Sequence, residues 1–110
     1  MKALDTNILL RYLTKDDPIQ SPLASVFIKT QCTLENPAYI NHVVLCELTW
    51  SLDKGYKYSK PMIVGMLEKL IHTSQFVIED RAAVWGALHS YKNSKADFAD
   101  ALIGKVNKLA

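Results

Sequence analysis

Short apolar segments alternate with longer segments of helical periodicity along the whole chain. The apolar segments are residues 2–4, 38–41 and 76–78, and a helical pattern follows each of them. Neighbouring parallel strands must be joined by long crossover connections, which are usually helices. The alternation therefore predicts an α/β domain built on a short parallel sheet. Because 110 residues is close to the commonest domain size, we expect one domain over residues 1–110.

Helix-capping and helix-breaking residues divide the rest of the chain into helical segments. Asp5 precedes the first helix, Asp17 precedes the second, and Gly55 ends the third. We expect these helices at about residues 8–13, 18–30, 43–54, 60–71, 81–91 and 96–109. The inward-facing residues predicted for the second helix are Leu23, Val26, Phe27 and Ile28.

The composition excludes several classes of protein. Hydrophobic residues make up 49% and charged residues 22%, which is ordinary for a globular domain and too apolar for a disordered chain. The sequence contains no apolar run near the ~20 residues of a membrane helix and no secretory cleavage site, so we expect a cytoplasmic protein. The net charge of +2 does not identify a nucleic-acid binder. Cys32 and Cys46 lack metal-binding spacing, and we expect both to be reduced thiols.

Four acidic residues occupy positions that are unusual for surface carboxylates. Asp5 ends the first strand, at the edge of the sheet where ligands bind in open parallel sheets. Glu47 interrupts the apolar stretch VVLCELTW, where an unpaired carboxylate is costly. Asp97 and Asp100 lie three positions apart in the last helical segment, so both can project from one face at about 5–6 Å. Three separate elements thus each contribute an acid among apolar neighbours.

Gathered carboxylates repel one another, by about 4 kcal/mol for a pair at ~4 Å and an effective dielectric constant of about 20. A fold keeps such a cluster when cations neutralise it or when protonation relieves the repulsion. Oxygen ligands without cysteine or histidine indicate Mg²⁺ or Mn²⁺, which can support phosphodiester hydrolysis. Simpler interpretations are Asp5 as a helix N-cap, Glu47 as the partner of a Lys or Arg, and Asp97 as an N-cap or first-turn acid.

Three segments of the chain together resemble one protein family. They are DTNILLRYL at residues 5–13, VLCELTW at residues 44–50 and ADFADALI at residues 96–103, with DDP at residues 16–18 after the first helix. In this order and spacing they are similar to the PIN-domain ribonucleases, in particular the VapC toxins of bacterial type II toxin–antitoxin systems. The resemblance implies a three-layer α/β/α sandwich with a central parallel sheet. It also implies Mg²⁺- or Mn²⁺-dependent endoribonuclease cleavage of RNA, a homodimer, and inhibition by a VapB-type antitoxin.

The resemblance assigns metal ligands residue by residue. Asp5 matches the first metal-binding acid of the family, Glu47 matches the second, and Asp100 matches the third. Asp97 matches an acid that is often present one turn earlier, and it is a further candidate ligand. The expected metal site therefore consists of these four carboxylates.

Thr6 and Asn7 match the polar pair beside the first acid of the family. We expect the Thr6 hydroxyl or the Asn7 amide to hold a carboxylate or a metal-bound water. Simple capping of the first helix is the rival interpretation. The candidate catalytic set therefore comprises Asp5, Thr6, Asn7, Glu47, Asp97 and Asp100.

The sequence departs from the family at its carboxyl end. Relatives continue into a final strand that carries one more acidic residue, whereas this sequence ends at Ala110 with neither. If that strand and acid are absent from the protein, Asp5, Glu47 and Asp100 remain as the matched ligands, and weak metal binding and an open sheet edge are expected. The departure keeps a second interpretation open, a catalytically silent binding module that retains antitoxin binding. A third is a DNA structure-specific nuclease using the same acids, although the chain lacks room for the clamp that such enzymes usually carry.

Overall fold

Three short strands form one parallel sheet in the computed structural model, which describes residues 2–15 and 17–109. The side chains of residues 108 and 109 are not described, and Asp16 of the DDP motif lies outside the described residues. The strands, in the sheet order β1-β2-β3, are β1 (Lys2–Ala3), β2 (Ala38–Ile40) and β3 (Phe76–Ile78). The α/β class and the parallel sheet predicted from the alternation are confirmed.

β2 pairs with both of the other strands. Lys2 lies opposite Ala38, and Ala38 lies opposite Phe76. The Leu4 N–H donates to the Tyr39 carbonyl at 3.2 Å, which continues the β1–β2 ladder just beyond β1. β1 is therefore a two-residue strand at one edge of the sheet, as far as the described residues extend.

Helices connect and follow the strands. They are α1 (Thr6–Thr14), α2 (Gln20–Gln31), α3 (His42–Trp50), α4 (Lys60–His72), α5 (Arg81–Asn93) and α6 (Phe98–Leu109), with a π-helical turn at Ser51–Gly55. Each predicted helical segment corresponds to one of these helices. None of the helices described is both long and apolar enough to cross a membrane.

Each strand leads into a polar residue that caps the next helix. The side chain of each capping residue accepts a backbone N–H three positions later: Asp5 from Ile8 at 2.9 Å, Asn41 from Val44 at 2.8 Å and Asp80 from Ala83 at 3.3 Å. Asp80 has a φ of 42°, in the left-handed region that Asp adopts more readily than most residues. Three helix N-termini therefore begin at the carboxyl edge of the sheet, where ligands bind in parallel sheets.

The hydrophobic core takes side chains from the sheet and from the helices. Its largest fully buried residues include Leu9, Ile40, Leu45, Leu48, Leu67, Phe76, Phe98 and Leu102. Between α5 and α6, the Tyr91 ring packs edge-on against the Phe98 ring, with centroids 6.2 Å apart. Phe98 directly follows Asp97, so this contact also fixes the position of that acid.

α2 turns a different side to the core from the one that its apolar residues predict. Leu23, Val26 and Phe27 are 58%, 57% and 37% exposed, so the inward-facing prediction is wrong for them, whereas it is confirmed for Ile28. The buried residues of α2 are Ser21, Ala24 and Ile28. Because apolar residues occupy more than one side of this helix, its periodicity cannot select the face that packs against α1.

The third helix is shorter than predicted and changes its geometry after Trp50. A π-helical turn follows, and the Tyr56 N–H donates to the Ser51 carbonyl at 2.9 Å. The expectation of one helix over residues 43–54 is therefore wrong in its last turn. No glycine or proline precedes Gly55 in this segment, so the sequence carries no local signal for the change.

Candidate functional site

Asp5 lies between the carboxyl end of β1 and the start of α1. Its Oδ1 accepts the Ile8 N–H at 2.9 Å, so the N-cap interpretation of this residue is correct. A carboxylate offers acceptor positions for about four partners, and the cap uses one of them. Because Asp5 is also exposed, capping leaves it able to contribute to a metal site.

Glu47 on α3 is joined to the first turn of α1 by Thr6. The Thr6 hydroxyl donates to Glu47 Oε1 at 3.4 Å, across 41 residues of sequence. A contact of this kind with a carboxylate was expected from Thr6 or Asn7. Among the described residues, Glu47 forms no ion pair with a Lys or Arg, which was the simpler interpretation of this residue. Asn7 lines a separate hollow between α1 and α2, with Arg11.

Asp97 caps α6 from the position just before the helix. Its Oδ1 accepts the Asp100 N–H at 2.9 Å, which confirms the N-cap interpretation. Burial raises the pKa of the Cys46 thiol, and the charge of Asp97 raises it further. The pKa of the Tyr91 hydroxyl is raised by burial and by the charges of Asp53 and Asp97. The Asp97 carboxylate therefore faces the space between α3 and α5.

Asp100 lies on the first turn of α6 and lines a different hollow. This hollow has a volume of about 330 Å³, and Ser90, Ser94 and Lys105 also line it. Asp97 lines a hollow on the α3 side instead. Asp97 precedes α6 and its carboxylate accepts the Asp100 N–H, and the two acids line separate hollows.

The structure brings together part of the predicted metal-binding set. Thr6, next to Asp5, donates to Glu47, Asp97 lines a hollow beside α3, and Asp100 lines another beside α5. Within the residues that the structure describes, no three His, Cys, Asp or Glu side chains are grouped as a metal site. The four candidate ligands are carboxylates and offer only oxygen atoms, which suit Mg²⁺ or Mn²⁺ and not zinc. Carboxylates of this kind fit a hard divalent ion in donor type, and Glu47 contacts the first turn of α1, which Asp5 caps.

A contact between the carboxyl ends of β2 and β3 was not predicted from the sequence. The His42 N–H donates to Glu79 Oε1 at 2.8 Å, and His42 Nε2 lies 2.8 Å from the Glu79 carbonyl oxygen. The two residues are 37 positions apart, and the pairing of β2 with β3 brings them together. Both lie within two residues of a strand end, and this position is the signal that could have found them.

An apolar groove of about 490 Å³ lies between α3 and α6, with Glu47 in its wall. The α3 side includes Val43 and Cys46, and the α6 side includes Leu102 and Ile103. α6 therefore approaches Glu47 with apolar side chains, while Asp100 on the same helix faces α5.

Comparison with known proteins agrees with the three motifs. Residues 2–109 match the family described as PIN domain. The chain is also similar to a VapC ribonuclease of Aquifex aeolicus (strain VF5), with 26% identity over 102 residues that cover 93% of this chain and 75% of the relative. No solved structure matches the chain. The family match includes every residue of the candidate site.

Proposed function

The chain belongs to the PIN-domain family, and from this premise we propose that it is a VapC-type endoribonuclease toxin that depends on Mg²⁺ or Mn²⁺. The match over residues 2–109 carries the proposal, because it includes all the candidate acids. The similarity to a VapC ribonuclease supports RNA as the substrate. The link from Thr6 to Glu47 supports a site at the carboxyl edge of the sheet.

Four carboxylates are the proposed ligands of the ion. The contact through Thr6 and the sequence motifs both support Asp5 and Glu47 as ligands, whereas only the sequence motif supports Asp100. Asp97 is a further candidate ligand, and it also caps α6. A bound divalent ion would supply the Lewis acid that activates water and stabilises charge on the phosphate.

Thr6 and Asn7 complete the proposed site. The Thr6 hydroxyl restricts the Glu47 side chain by donating to its Oε1, so Thr6 is a positioning residue. Asn7 lies in the same first turn of α1 and is retained as a polar residue of the site. The capping carboxylate of Asp5 keeps this turn fixed at the end of β1.

We propose a VapB-type antitoxin and a second copy of the chain as protein partners, in the cytoplasm where RNA is present. The exposed apolar residues of α2 support a protein partner, because such patches on globular domains mark interaction sites. They include Leu23 and Val26, which are 58% and 57% exposed, and Ile19 just before the helix is 68% exposed.

RNA cleavage should require a divalent ion. We expect the purified protein to cleave single-stranded RNA in Mg²⁺ or Mn²⁺ and to lose this activity in EDTA, because the proposed carboxylates then hold no cation. Recovery on adding excess Mg²⁺ would show that EDTA removed the ion and did not inactivate the protein irreversibly. Cleavage that persists in EDTA would contradict the metal role.

Asp5→Asn tests the site without removing the helix cap. Asn caps helices as well as Asp does, so α1 should stay folded while the negative charge is lost. We expect growth inhibition to disappear and RNA cleavage to fall by roughly 100-fold or more, as when a charge-stabilising group is removed from an active site. Glu35→Gln, which removes an exposed carboxylate from a turn, is the matched control and should retain activity. Full activity of Asp5→Asn would refute the assignment.

The arrangement of the acids favours one alternative, a catalytically silent module that binds the antitoxin. Among the described side chains, no three acids are grouped as a metal site. Binding of a co-expressed VapB-type antitoxin without any Mg²⁺-stimulated RNA cleavage would support this alternative. Mg²⁺-stimulated cleavage by the unaltered chain, lost in Asp5→Asn, would exclude it.

A further inference from the structure

One edge of α3 and of the π-helical turn carries a row of exposed side chains. Val43, Glu47, Trp50 and Lys54 are all exposed and follow a helical spacing along this edge. Trp50 is 66% exposed, although burying a ring of this size would stabilise the fold. Glu47, a proposed ligand, therefore has a free indole about one turn beyond it on the same edge.

Trp50 borders a small hollow between α3, the π-helical turn and the start of α6. The hollow has a volume of about 160 Å³, well below the ~300 Å³ of the smallest pockets for drug-sized ligands. Tyr91 and Asp97 also line it. Trp50 thus shares this hollow with Asp97 and lies about one turn from Glu47 on α3.

The π-helical turn places a cation beside the same hollow. Lys54 lines the hollow, its side chain is 67% exposed, and its Nζ lies 3.8 Å from Asp53 Oδ2. An exposed ion pair of this kind contributes little to the free energy of folding. Lys54 can therefore leave Asp53 and bind a phosphate instead with little loss of stability. π-Helical turns are also frequent at functional sites.

The second tryptophan of the chain has a different setting. Trp85 is 36% exposed, and its ring packs edge-on against His72 with centroids 5.2 Å apart. Trp85 lies on α5, whereas Trp50 lies on the helix that carries Glu47. Trp50 is therefore the tryptophan that can meet a ligand near the candidate acids.

We propose that Trp50 is the stacking surface for one unpaired base of the RNA and that Lys54 contacts a phosphate of the same strand. This inference rests on the proposed nuclease function. Single-stranded RNA is commonly bound by stacking its bases on aromatic rings, and every base offers a π-face. Bases in a duplex stack on each other, so the site selects unpaired RNA with little dependence on base identity. Trp50 is thus a substrate-binding residue beside the metal site.

Fluorescence tests the stacking directly. In an Asp5→Asn, Trp85→Phe protein, Trp50 is the remaining tryptophan of the two in the chain, and RNA is not cut. We expect a single-stranded oligoribonucleotide of mixed sequence to quench Trp50 emission, because its bases stack on the indole. An abasic oligomer of the same length and a duplex of the same sequence should leave the emission unchanged. Equal quenching by the abasic oligomer, or none by the intact one, would overturn the proposal.

Kinetics test the role of Trp50 in otherwise active protein. We expect Trp50→Ala to raise KM for single-stranded RNA by roughly 5- to 150-fold, the range that loss of base stacking produces, with kcat within about twofold. Trp50→Phe, which keeps a π-face, should recover much of the loss, and Trp85→Phe is the matched control with unchanged KM. An unchanged KM in Trp50→Ala would contradict the proposal.

Two further outcomes distinguish base stacking from burial of Trp50 in a dimer and from failure of the nuclease function itself. If Trp50→Ala shifts the protein from dimer to monomer in size-exclusion chromatography, a second copy covers the indole and the proposal is wrong. If the unaltered protein fails to cleave RNA in Mg²⁺, the proposed nuclease function is refuted. The fluorescence titration still decides whether Trp50 stacks on a base, because it requires no cleavage.

Discussion

Asp17 connects the end of α1 to the start of α2. Its Oδ1 accepts the N–H groups of Ile19 and Gln20 at 2.9 and 2.7 Å, and its Oδ2 accepts from Arg11 Nη1 at 2.8 Å. The backbone donors of Gln20 and Ile19, followed by the charge of Arg11, hold the pKa of this carboxyl below its ordinary value of 3.8. The guanidinium of Arg11 is thus paired within the fold.

Asp17→Asn should destabilise the protein at neutral pH but have less effect in acid. A carboxyl whose pKa is lowered by folding adds stability above its ordinary value of 3.8, and this contribution is lost as the pH falls through the lowered value. We expect a lower urea midpoint for the variant at about pH 7 and a difference that shrinks below about pH 4. Asp53→Asn is the control, because the exposed Asp53–Lys54 pair contributes little. A difference that is equal at both pH values would contradict the argument.

At the scale of single elements, the junctions from strand to helix define the fold. Asp5, Asn41 and Asp80 each follow a strand and cap the next helix. Asp80 differs from the other two because its φ is 42°, whereas φ is −88° at Asp5 and −92° at Asn41. The start of α5 therefore depends on a residue that both caps the helix and adopts the left-handed conformation.

Asp80→Ala should destabilise the protein more than Asn41→Ala. Both variants lose a cap, which costs about 0.5–2 kcal/mol. Asp80→Ala also places an alanine in the left-handed region, which costs roughly a further 1–2 kcal/mol. Asp80→Asn keeps the cap and tolerates that backbone, so we expect a small change. Urea denaturation measures all three, and equal losses for the two alanine variants would contradict the conformational argument.

Local features of the sequence predict the strands and the helices, whereas contacts between elements decide the rest. The caps at Asp5 and Asp80 are predictable because their partners lie three residues away. The exposed position of Leu23 is not predictable, because it depends on which side of α2 packs against α1. The contact between His42 and Glu79 requires the strand order. For the same reason, the motif that contains Asp100 does not reveal that this residue faces α5.

At the scale of the whole molecule, α2 carries an exposed apolar face, which is the proposed surface for a protein partner. Its members include Leu23 and Val26, and Ile19 directly precedes the helix. The face belongs to a different helix from the candidate acids, but Leu23 lines the same hollow as Asn7 of the candidate site. RNA cleavage should therefore be measured alongside association for substitutions on α2.

Leu23→Lys should abolish binding of a co-expressed VapB-type antitoxin without unfolding the chain. Leu23 is 58% exposed, so we expect the free energy of unfolding to change by no more than about 0.5 kcal/mol. Pull-down of the antitoxin and urea denaturation measure the two effects. Leu34→Lys is the matched control, because Leu34 is 71% exposed and lies outside α2. Equal antitoxin binding by both variants would show that the antitoxin does not use this face.

Because β1 is only two residues long, the edge of the sheet next to Asp5 can open locally while the rest of the domain stays folded. The strand is held to its neighbour by the Lys2 and Leu4 amides, which donate to the Pro37 and Tyr39 carbonyls at 3.2 Å each. Short edge segments open at a lower free energy than the whole domain unfolds. If the proposed cation binds Asp5 more tightly when the Leu4 amide is closed, binding and closing are linked equilibria. Hydrogen exchange at the Leu4 amide would then slow as the cation concentration rises.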